Sequence, residues 1–195
     1  MIIILMGKTA VGKDTVFKHI LKDFANIKPV ISDTTRPPRA GEVDGRDYNF
    51  ITLEEYQKRT YIEQRVYNTT VEGKPVTYYY GCPELDPDSE YIGIFDTYGA
   101  KEIIDILGKE SCFCVYLTNT EEICRERAFE RGSITEEEWQ RRLDDDNTRF
   151  TKENVDAIAN DTFVTDMPAE DTARKIMYVY EKYKQSINSA NNGGI

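Results

Sequence analysis

The chain opens with an uninterrupted apolar run, Met1 to Met6, followed directly by Gly7-Lys8-Thr9-Ala10-Val11-Gly12-Lys13. Six apolar residues without alternation are typical of a central parallel strand that is buried on both faces. Behind the glycines, apolar residues recur at helical spacing: Val16, Phe17, Ile20, Leu21 and Phe24. Strand, glycine loop and helix in this order predict an α/β fold with a parallel sheet. The alternative is an ordinary loop between a strand and a helix.

The glycine loop is suited to binding phosphate. Its two glycines permit tight turns, so that successive backbone N–H groups can surround a phosphate at the positive end of the helix. Lys13 can then reach the β and γ oxygens of ATP. The next residue is usually a Ser or Thr that coordinates Mg²⁺, but here Asp14 precedes Thr15. Since a carboxylate also binds Mg²⁺, we expect the ion at Asp14 and Thr15. The predicted ATP site comprises Gly7, Ala10, Val11, Gly12, Lys13, Asp14 and Thr15.

Composition narrows the possible functions. The 195 residues suit one domain, and the 35 acidic against 25 basic residues give a net charge of −10, which opposes binding to nucleic acid or anionic membranes. The short apolar start has no basic segment or cleavage site of a signal peptide, so we expect a cytoplasmic protein. The four cysteines form no CxxC pair and His19 is the only histidine, so neither a zinc site nor a Ser-His-Asp triad is expected.

An arginine-bearing segment follows a short strand predicted at residues 29–32. From Ser32 to Phe50 the sequence reads S-D-T-T-R-P-P-R-A-G-E-V-D-G-R-D-Y-N-F, and its prolines and glycines predict irregular structure. Arg36 and Arg39 lie on a proline-stiffened backbone, so two guanidinium groups could converge on one phosphate at little entropic cost. The alternative is a solvated turn. A helix is predicted next, because Thr52 and Glu55 have the spacing of a capping box.

The same segment resembles the guanylate kinase pattern S-T-T-R-x-P-R-x-G-E-x-x-G-x-x-Y-x-F, with Asp33 in place of the common serine. Together with the glycine loop, this identifies the chain as a member of that family. The resemblance implies that the phosphate of an acceptor nucleotide is held by four residues and that Glu42 orients the arginines. The four are Ser32, Arg36, Arg39 and Tyr48.

Two further segments resemble the family's sequence motifs that recognise the base of the acceptor. Tyr61-Ile62-Glu63 is similar to its F-I-E, whose glutamate accepts from N1–H and the amino group of guanine; the alternative for Glu63 is an exposed strand residue. Tyr80-Gly81-Cys82 is similar to Y-G-[ST], in which the tyrosine reaches the phosphate and the hydroxyl supports the base. Cys82 departs from this pattern with a weakly bonding thiol, and the chain between Glu63 and Tyr80 is longer than usual. A nucleoside monophosphate is therefore implied more directly than guanine.

The remaining motifs concern the acceptor and a lid. Asp96 ends an apolar strand and matches the second aspartate of the family's D-I-D-x-x-G, which implies contact with the acceptor or Mg²⁺; the alternative is a helix cap. Arg127 and Arg131 lie one turn apart and precede a glycine, and Arg142 lies downstream in a helix capped by Thr135. This pattern is similar to the family's lid. The resemblance also puts Asp166 near the adenine of the donor. The implied catalytic residues are Lys13, Arg127, Arg131 and Arg142.

The sequence thus predicts a P-loop type, doubly wound parallel core at residues 1–33, 91–123 and 150–187. A nucleotide-binding insertion is expected at 34–90, a helical lid at 124–149, and a flexible tail at 188–195. The implied reaction is Mg²⁺-dependent phosphoryl transfer from ATP to GMP or dGMP by a monomer or homodimer. Two alternatives stay open. One is a kinase for another nucleoside monophosphate or a ribose bisphosphate, and the other is a noncatalytic protein-binding module, which Lys13 and the lid arginines oppose.

Overall fold

The computed structural model describes residues 1–39, 41–71, 73–132 and 134–192. The chain divides into two compact units: Met1–Lys28 together with the chain from Glu90 onward, and Pro29–Ser89. We call these the core unit and the inserted unit. The predicted nucleotide-binding insertion, 34–90, overlaps the inserted unit.

The core unit is built on a sheet of five strands in the order β2-β7-β1-β8-β9. The strands are β1 (Ile2–Gly7), β2 (Ile27–Pro29), β7 (Glu90–Ile94), β8 (Cys112–Thr118) and β9 (Asp161–Val164). β1 is central, since it pairs in parallel with both β7 and β8, which brings Ile3 opposite Ile92 and Phe113. Residues Ile2 to Met6 have no exposed surface. The predicted central parallel strand and α/β core are confirmed.

Seven segments cover or flank this sheet: α1 (Lys13–Asp23), α3 (Thr97–Leu107), a 3₁₀ turn (Lys109–Ser111), α4 (Glu121–Glu130), α5 (Glu136–Arg149), α6 (Lys152–Ile158) and α7 (Ala169–Asn192). α1 buries Val16 and Ile20 against the sheet, as its apolar spacing predicts. α4, α5 and α6 each begin after a threonine whose hydroxyl accepts from a backbone N–H. Within the described residues, none of the helices combines the length and the apolar character needed to cross a bilayer.

The last helix is longer than predicted. A flexible tail was expected from residue 188, but α7 continues to Asn192. No glycine or proline interrupts the helix before Gly193, and the hydroxyls of Ser186 and Ser189 donate to backbone carbonyls of the preceding turn. Residues 193–195 of the predicted tail lie outside the described residues.

The inserted unit has a second sheet, with four strands in the order β4-β3-β6-β5. Its elements are β3 (Asp33–Thr34), β4 (Asn49–Phe50), α2 (Leu53–Gln57), β5 (Tyr61–Val71) and β6 (Lys74–Pro83). β5 and β6 form the long hairpin that the sequence suggested. The reciprocal capping box between Thr52 and Glu55 at the start of α2 is confirmed.

Two predictions about the start of this region were wrong. The strand predicted at 29–32 is β2 at Ile27–Pro29 instead. Pro29 has no N–H with which to continue pairing, so the edge strand ends there. The segment 32–50, predicted as irregular, contributes β3 and β4 at its two ends, because these extended residues pair with each other and β3 also pairs with β6.

The buried carboxylate of Asp33 links several strands of the inserted unit. Its side chain has no exposed surface. It accepts from Arg59 Nη1 at 2.7 Å, from the Tyr61 hydroxyl at 2.9 Å and from Asn49 Nδ2 at 2.8 Å. Three donors satisfy the buried carboxylate, which therefore fastens β3 to β4 and β5.

We expect Asp33→Ala to lower the free energy of unfolding by about 2 kcal/mol, because it leaves the Tyr61 hydroxyl without its acceptor and removes the shorter hydrogen bond of the Asn49 amide. Urea denaturation measures the loss. Asp88→Ala, at an exposed position of the same unit, is the matched control and should change stability by less than about 0.5 kcal/mol. Equal stability of the two variants would rule out this role of Asp33.

Candidate functional site

The glycine loop wraps around the side chain of Lys13. Lys13 Nζ donates to the carbonyl oxygen of Gly7 at 2.6 Å and to that of Lys8 at 2.9 Å. Gly12 has a φ of 111° and Ala10 a φ of 59°, and Ala10 is the only non-glycine with a positive φ among the described residues. A left-handed alanine is strained by about 1–2 kcal/mol. The surrounding contacts therefore hold the loop in this conformation.

A cleft of about 260 Å³ opens beside the loop. We call it the Lys13 cleft; its lining includes Ala10, Lys13, Asp14, Arg131 and Arg142. Lys13 comes from the start of α1, Arg131 from the end of α4 and Arg142 from the middle of α5. The structure thus gathers three cations around the N-terminus of a helix, which is an arrangement that can bind a polyphosphate.

Two nearby carboxylates, one of them in the lining of the cleft, act on the charge of Lys13. Burial lowers the pKa of Lys13, while the nearby carboxylates of Asp146 and Asp14 act in the opposite direction. Asp146 lies on α5 and accepts from the backbone N–H of Thr9 at 2.6 Å. On the same helix, Arg142 Nε donates to Glu138 Oε1 at 2.7 Å. Hydrogen bonds from Arg141 and Arg142 lower the pKa of Glu138 to about 2.

Arg127 is held by contacts to the glycine loop and to Thr165. It donates to the carbonyl oxygen of Val11 at 3.2 Å, and to the hydroxyl and carbonyl oxygens of Thr165 at 3.0 and 2.8 Å. It lines a second cleft of about 400 Å³, the β9 cleft, together with Thr15, Thr165 and Met167. Arg131 lines both clefts. Arg127 therefore ties the glycine loop to the chain after β9 and lines the β9 cleft, whereas the lining of the Lys13 cleft does not include it.

The two residues predicted for Mg²⁺ also face different clefts. Asp14 lines the Lys13 cleft and Thr15 the β9 cleft. The described residues contain no group of three His, Cys, Asp or Glu side chains able to hold a metal ion. A single carboxylate beside three cations suits an ion that takes most of its ligands from phosphate and water. Asp14 fits that role, whereas Thr15 does not share its cleft.

In the inserted unit, the predicted phosphate-binding residues form a cluster around Arg36, which is 7% exposed. Arg36 Nη2 donates to Glu42 Oε1 at 2.8 Å, and Nε donates to the Tyr80 hydroxyl at 3.1 Å. The guanidinium carbon lies 5.5 Å from the centre of the Tyr48 ring. Glu42 also accepts from the backbone N–H of Arg39 at 2.7 Å. The hydrogen bond from Arg36 lowers the pKa of Glu42, so the carboxylate stays ionised.

Around this cluster, Arg39 has an exposed side chain and Ser32 is half-buried. Arg39 is therefore the cation of the pair that faces solvent, while Arg36 is fixed by Glu42 and Tyr80. The Ser32 carbonyl oxygen accepts from the backbone N–H of Asn49. This contact fixes the backbone just before β3.

The predicted base-reading residues are neighbours across the hairpin. Glu63 on β5 is paired with Cys82 on β6, so their side chains leave the same face of the sheet. An irregularity between Tyr61 and Glu63 shifts the register just before Glu63, and such bulges re-aim side chains. Cys82 has no exposed surface. Burial is the largest cause that raises the pKa of the Cys82 thiol to about 12, and the negative charges of Glu63 and Asp33 add to it. The Cys82 sulfur lies 3.6 Å from the Pro83 carbonyl oxygen.

Asp96 has the geometry of a helix cap, which was the alternative interpretation of this residue. One of its carboxylate oxygens accepts from the backbone N–H groups of Tyr98 and Gly99, which caps α3. The other oxygen pairs with Arg149 at the end of α5. The helix N-terminus and Arg149 thus already bind the two oxygens of this carboxylate. The contact of Asp96 with an acceptor or Mg²⁺ stays a prediction.

Sequence reasoning missed two residues that organise the core-unit site. Asp146 and Thr165 contact the glycine loop from 137 and 154 positions away, and no periodicity signals such contacts. Asp166, predicted near the donor, is exposed, whereas its neighbours Thr165 and Met167 line the β9 cleft.

Comparisons with known proteins identify relatives of the chain. The family model described as "Guanylate kinase" matches residues 1–79. A guanylate kinase of Clostridium perfringens (strain 13 / Type A) is 31% identical over 181 residues, covering 90% of this chain and 80% of the relative. One of Clostridioides difficile (strain 630) is 27% identical over 197 residues, covering 98% and 92%.

Solved structures share the fold. A guanylate kinase from Anaplasma phagocytophilum superposes with a TM-score of 0.61 at 21% identity, covering 94% of this chain and 86% of the other. A gluconokinase from Sinorhizobium meliloti 1021 gives a TM-score of 0.54 at 13% identity, covering 95% and 94%. At these identities the superpositions support the fold alone.

Proposed function

The chain belongs to the guanylate kinase family, and we propose that it is an ATP:GMP phosphotransferase that converts GMP or dGMP to the diphosphate. The observation that carries the proposal is the Lys13 cleft, in which Lys13, Arg131 and Arg142 from three helices converge beside the glycine loop. Asp14 and the Glu138 partner of Arg142 offset part of this positive charge, and a polyphosphate in the cleft would offset more of it.

In this reaction an oxygen of the GMP phosphate forms a bond to the γ-phosphorus of ATP, while the bond from that phosphorus to the β–γ bridging oxygen breaks. ADP leaves with the electron pair, and GDP is formed. Little covalent help from the protein is needed, so alignment and charge neutralisation supply the catalysis. Lys13 would contact the β and γ oxygens, and Arg131 and Arg142 would neutralise charge on the transferred group.

Magnesium is the cofactor we propose, held by Asp14 and by the phosphates of ATP. Bound Mg²⁺ neutralises phosphate charge and favours an in-line geometry. Asp14 comes directly after Lys13 and lines the same cleft. The carboxylate therefore lies where it can hold the ion without displacing the lysine.

The acceptor phosphate would bind the Arg36 cluster. The side chains of Arg36, Glu42 and Tyr80 already orient one another, so little conformational entropy is lost when a phosphate binds. Arg39, with its exposed guanidinium, would supply a second positive charge to the acceptor phosphate. Glu63 would accept from the guanine edge, because an ionised carboxylate is an acceptor and two adjacent donors of guanine suit it.

The buried Cys82 thiol is not available to a base in this conformation. We therefore propose that guanine is selected mainly through Glu63, with Cys82 filling space behind it. ATP and the acceptor are the partners we infer. All four cysteines are buried and free, which suits a reducing cytoplasmic compartment. A monomer or homodimer remains our prediction.

The acceptor assignment is tested by measuring ADP release from MgATP by the purified protein with GMP, dGMP, AMP, CMP, UMP, dTMP or a ribose bisphosphate. We expect turnover with GMP or dGMP and little with the others. A preference for another nucleotide would retain the phosphate chemistry and overturn the role of Glu63. Absence of turnover with every acceptor, together with absence of ATP binding, would favour the noncatalytic module.

Arg39→Ala should raise the KM for GMP about tenfold, because one charged hydrogen-bonding partner of the acceptor phosphate is lost. The KM for ATP should change little. Arg46→Ala is the matched control, since Arg46 is an exposed arginine of the same segment that pairs with Asp47. Steady-state kinetics with each substrate varied in turn measure both constants. A tenfold change in the KM for ATP instead would exclude Arg39 from the acceptor site.

A further inference from the structure

Helix α5 is attached to the glycine loop by two consecutive side chains near its C-terminal end. Asp146 accepts from the Thr9 backbone N–H at 2.6 Å, and Asn147 Oδ1 accepts from Lys8 Nζ at 2.6 Å. Both contacts reach the first half of the loop, directly before the strained Ala10. The Thr9 N–H donates to an ionised carboxylate, and hydrogen bonds to charged acceptors are stronger than those between neutral groups.

These contacts matter because α5 packs into the core at Trp139, near its start, and borders an open cavity farther along. A cavity of about 390 Å³ lies beside it, and the lining includes Trp139, Leu143 and Asp146 from α5 and Tyr116 and Cys124 from neighbouring elements. Cavity walls lack the dispersion contacts that fix a packed helix. Trp139 contacts Phe129 near the start of α5, with ring centroids 6.5 Å apart. Near its C-terminal end, polar contacts therefore set where the helix lies: those to the loop and the ion pair of Arg149 with Asp96.

Asp146 and Arg142 lie one helical turn apart, on the same side of α5. Arg142 lines the Lys13 cleft, whereas Asp146 binds the backbone of the loop that bounds it. We propose that Asp146 is a positioning residue for phosphoryl transfer: it fixes α5 against the glycine loop and thereby sets Arg142 opposite Lys13. This inference rests on the proposed function for its kinetic consequence, but the anchor itself is a property of the core unit.

The kinetic test is a double-mutant cycle. Asp146→Ala should lower kcat about tenfold, because it allows Arg142 to shift relative to Lys13. In an Arg142→Ala background the same substitution should have almost no further effect, since there is no guanidinium left to position. Independent effects that multiply in the double variant would overturn the proposal.

Two further variants separate positioning from general damage. Asp146→Asn keeps an oxygen that can accept from the Thr9 amide, so it should retain most of the wild-type kcat; an Asn variant as slow as the Ala variant would contradict the hydrogen-bonded anchor. Asp144→Ala changes an exposed carboxylate of the same acidic run, which accepts only from Gln140 in the contacts described. This control should leave kcat unchanged.

Acrylamide quenching of Trp139, the only tryptophan, tests the anchor without any turnover. Quenching should increase in Asp146→Ala and stay at the wild-type level in Asp144→Ala. Unchanged quenching in Asp146→Ala would overturn the anchor even if catalysis were impaired. If the wild-type protein phosphorylated no acceptor, the proposed function would fail, while the quenching experiment would still decide whether Asp146 fixes α5.

Discussion

Lys13→Met should lower kcat for GMP phosphorylation about 10³-fold, because it removes the ammonium that contacts both the leaving and the transferred phosphate in our account. Methionine keeps an unbranched apolar stem, so helix α1 should still form. The ammonium donates to the carbonyl oxygens of Gly7 and Lys8. A small loss of stability is therefore expected beside the large loss of turnover.

Lys18→Met provides the matched control, since Lys18 is an exposed lysine on the same helix. Its kcat and KM values should equal those of the wild-type protein. Circular dichroism and urea denaturation show whether both variants remain folded. Turnover by folded Lys13→Met within about tenfold of wild type would exclude the direct electrostatic role assigned to Lys13.

Gly7→Ala should lower the free energy of unfolding by about 3–4 kcal/mol and abolish ATP binding. Gly7 ends β1 with a φ of 154°, and a Cβ there would lie 2.5 Å from the carbonyl oxygen of Leu117 and 2.9 Å from Val11 Cγ1. The Leu117 oxygen belongs to the backbone of β8, which pairs with β1 at this position. Neither strand can move without disturbing the centre of the sheet.

Gly108→Ala separates the collision from the backbone conformation. Gly108 also has a positive φ, 83°, but a Cβ there meets nothing within 4 Å. This variant should lose only about 1–2 kcal/mol and keep its affinity for ATP. Urea denaturation and titration with MgATP measure the two quantities. Equal destabilisation of the two variants would show that strain at a positive φ, and not the close approach of β8, makes glycine necessary at position 7.

The sequence was sufficient to predict the elements that depend on local pattern. The uninterrupted apolar run predicted β1, the helical spacing of Val16 and Ile20 predicted α1, and the capping pair Thr52 and Glu55 predicted α2. These signals are local, because periodicity and caps act within a few residues. The extension of α7 to Asn192 was missed because a polar composition suggested fraying where no helix-breaking residue occurs.

The placement of site residues was less predictable, because it depends on contacts between distant parts of the chain. Arg127 and Arg131 look equivalent at i and i+4, yet the hydroxyl and carbonyl groups of Thr165 hold Arg127 in the β9 cleft. Asp146 belongs to an acidic run that resembles a solvated helix face. Only the fold brings its carboxylate to the amide of Thr9.

The central claim is tested most directly by following the labelled γ-phosphate of ATP. The protein is incubated with MgATP carrying the γ label and with unlabelled GMP, and the products are separated. Our account predicts that the label appears in the β-phosphate of GDP, in an amount equal to the ADP formed, and that Lys13→Met transfers almost none. Label released as inorganic phosphate, with no labelled GDP, would contradict phosphoryl transfer to GMP.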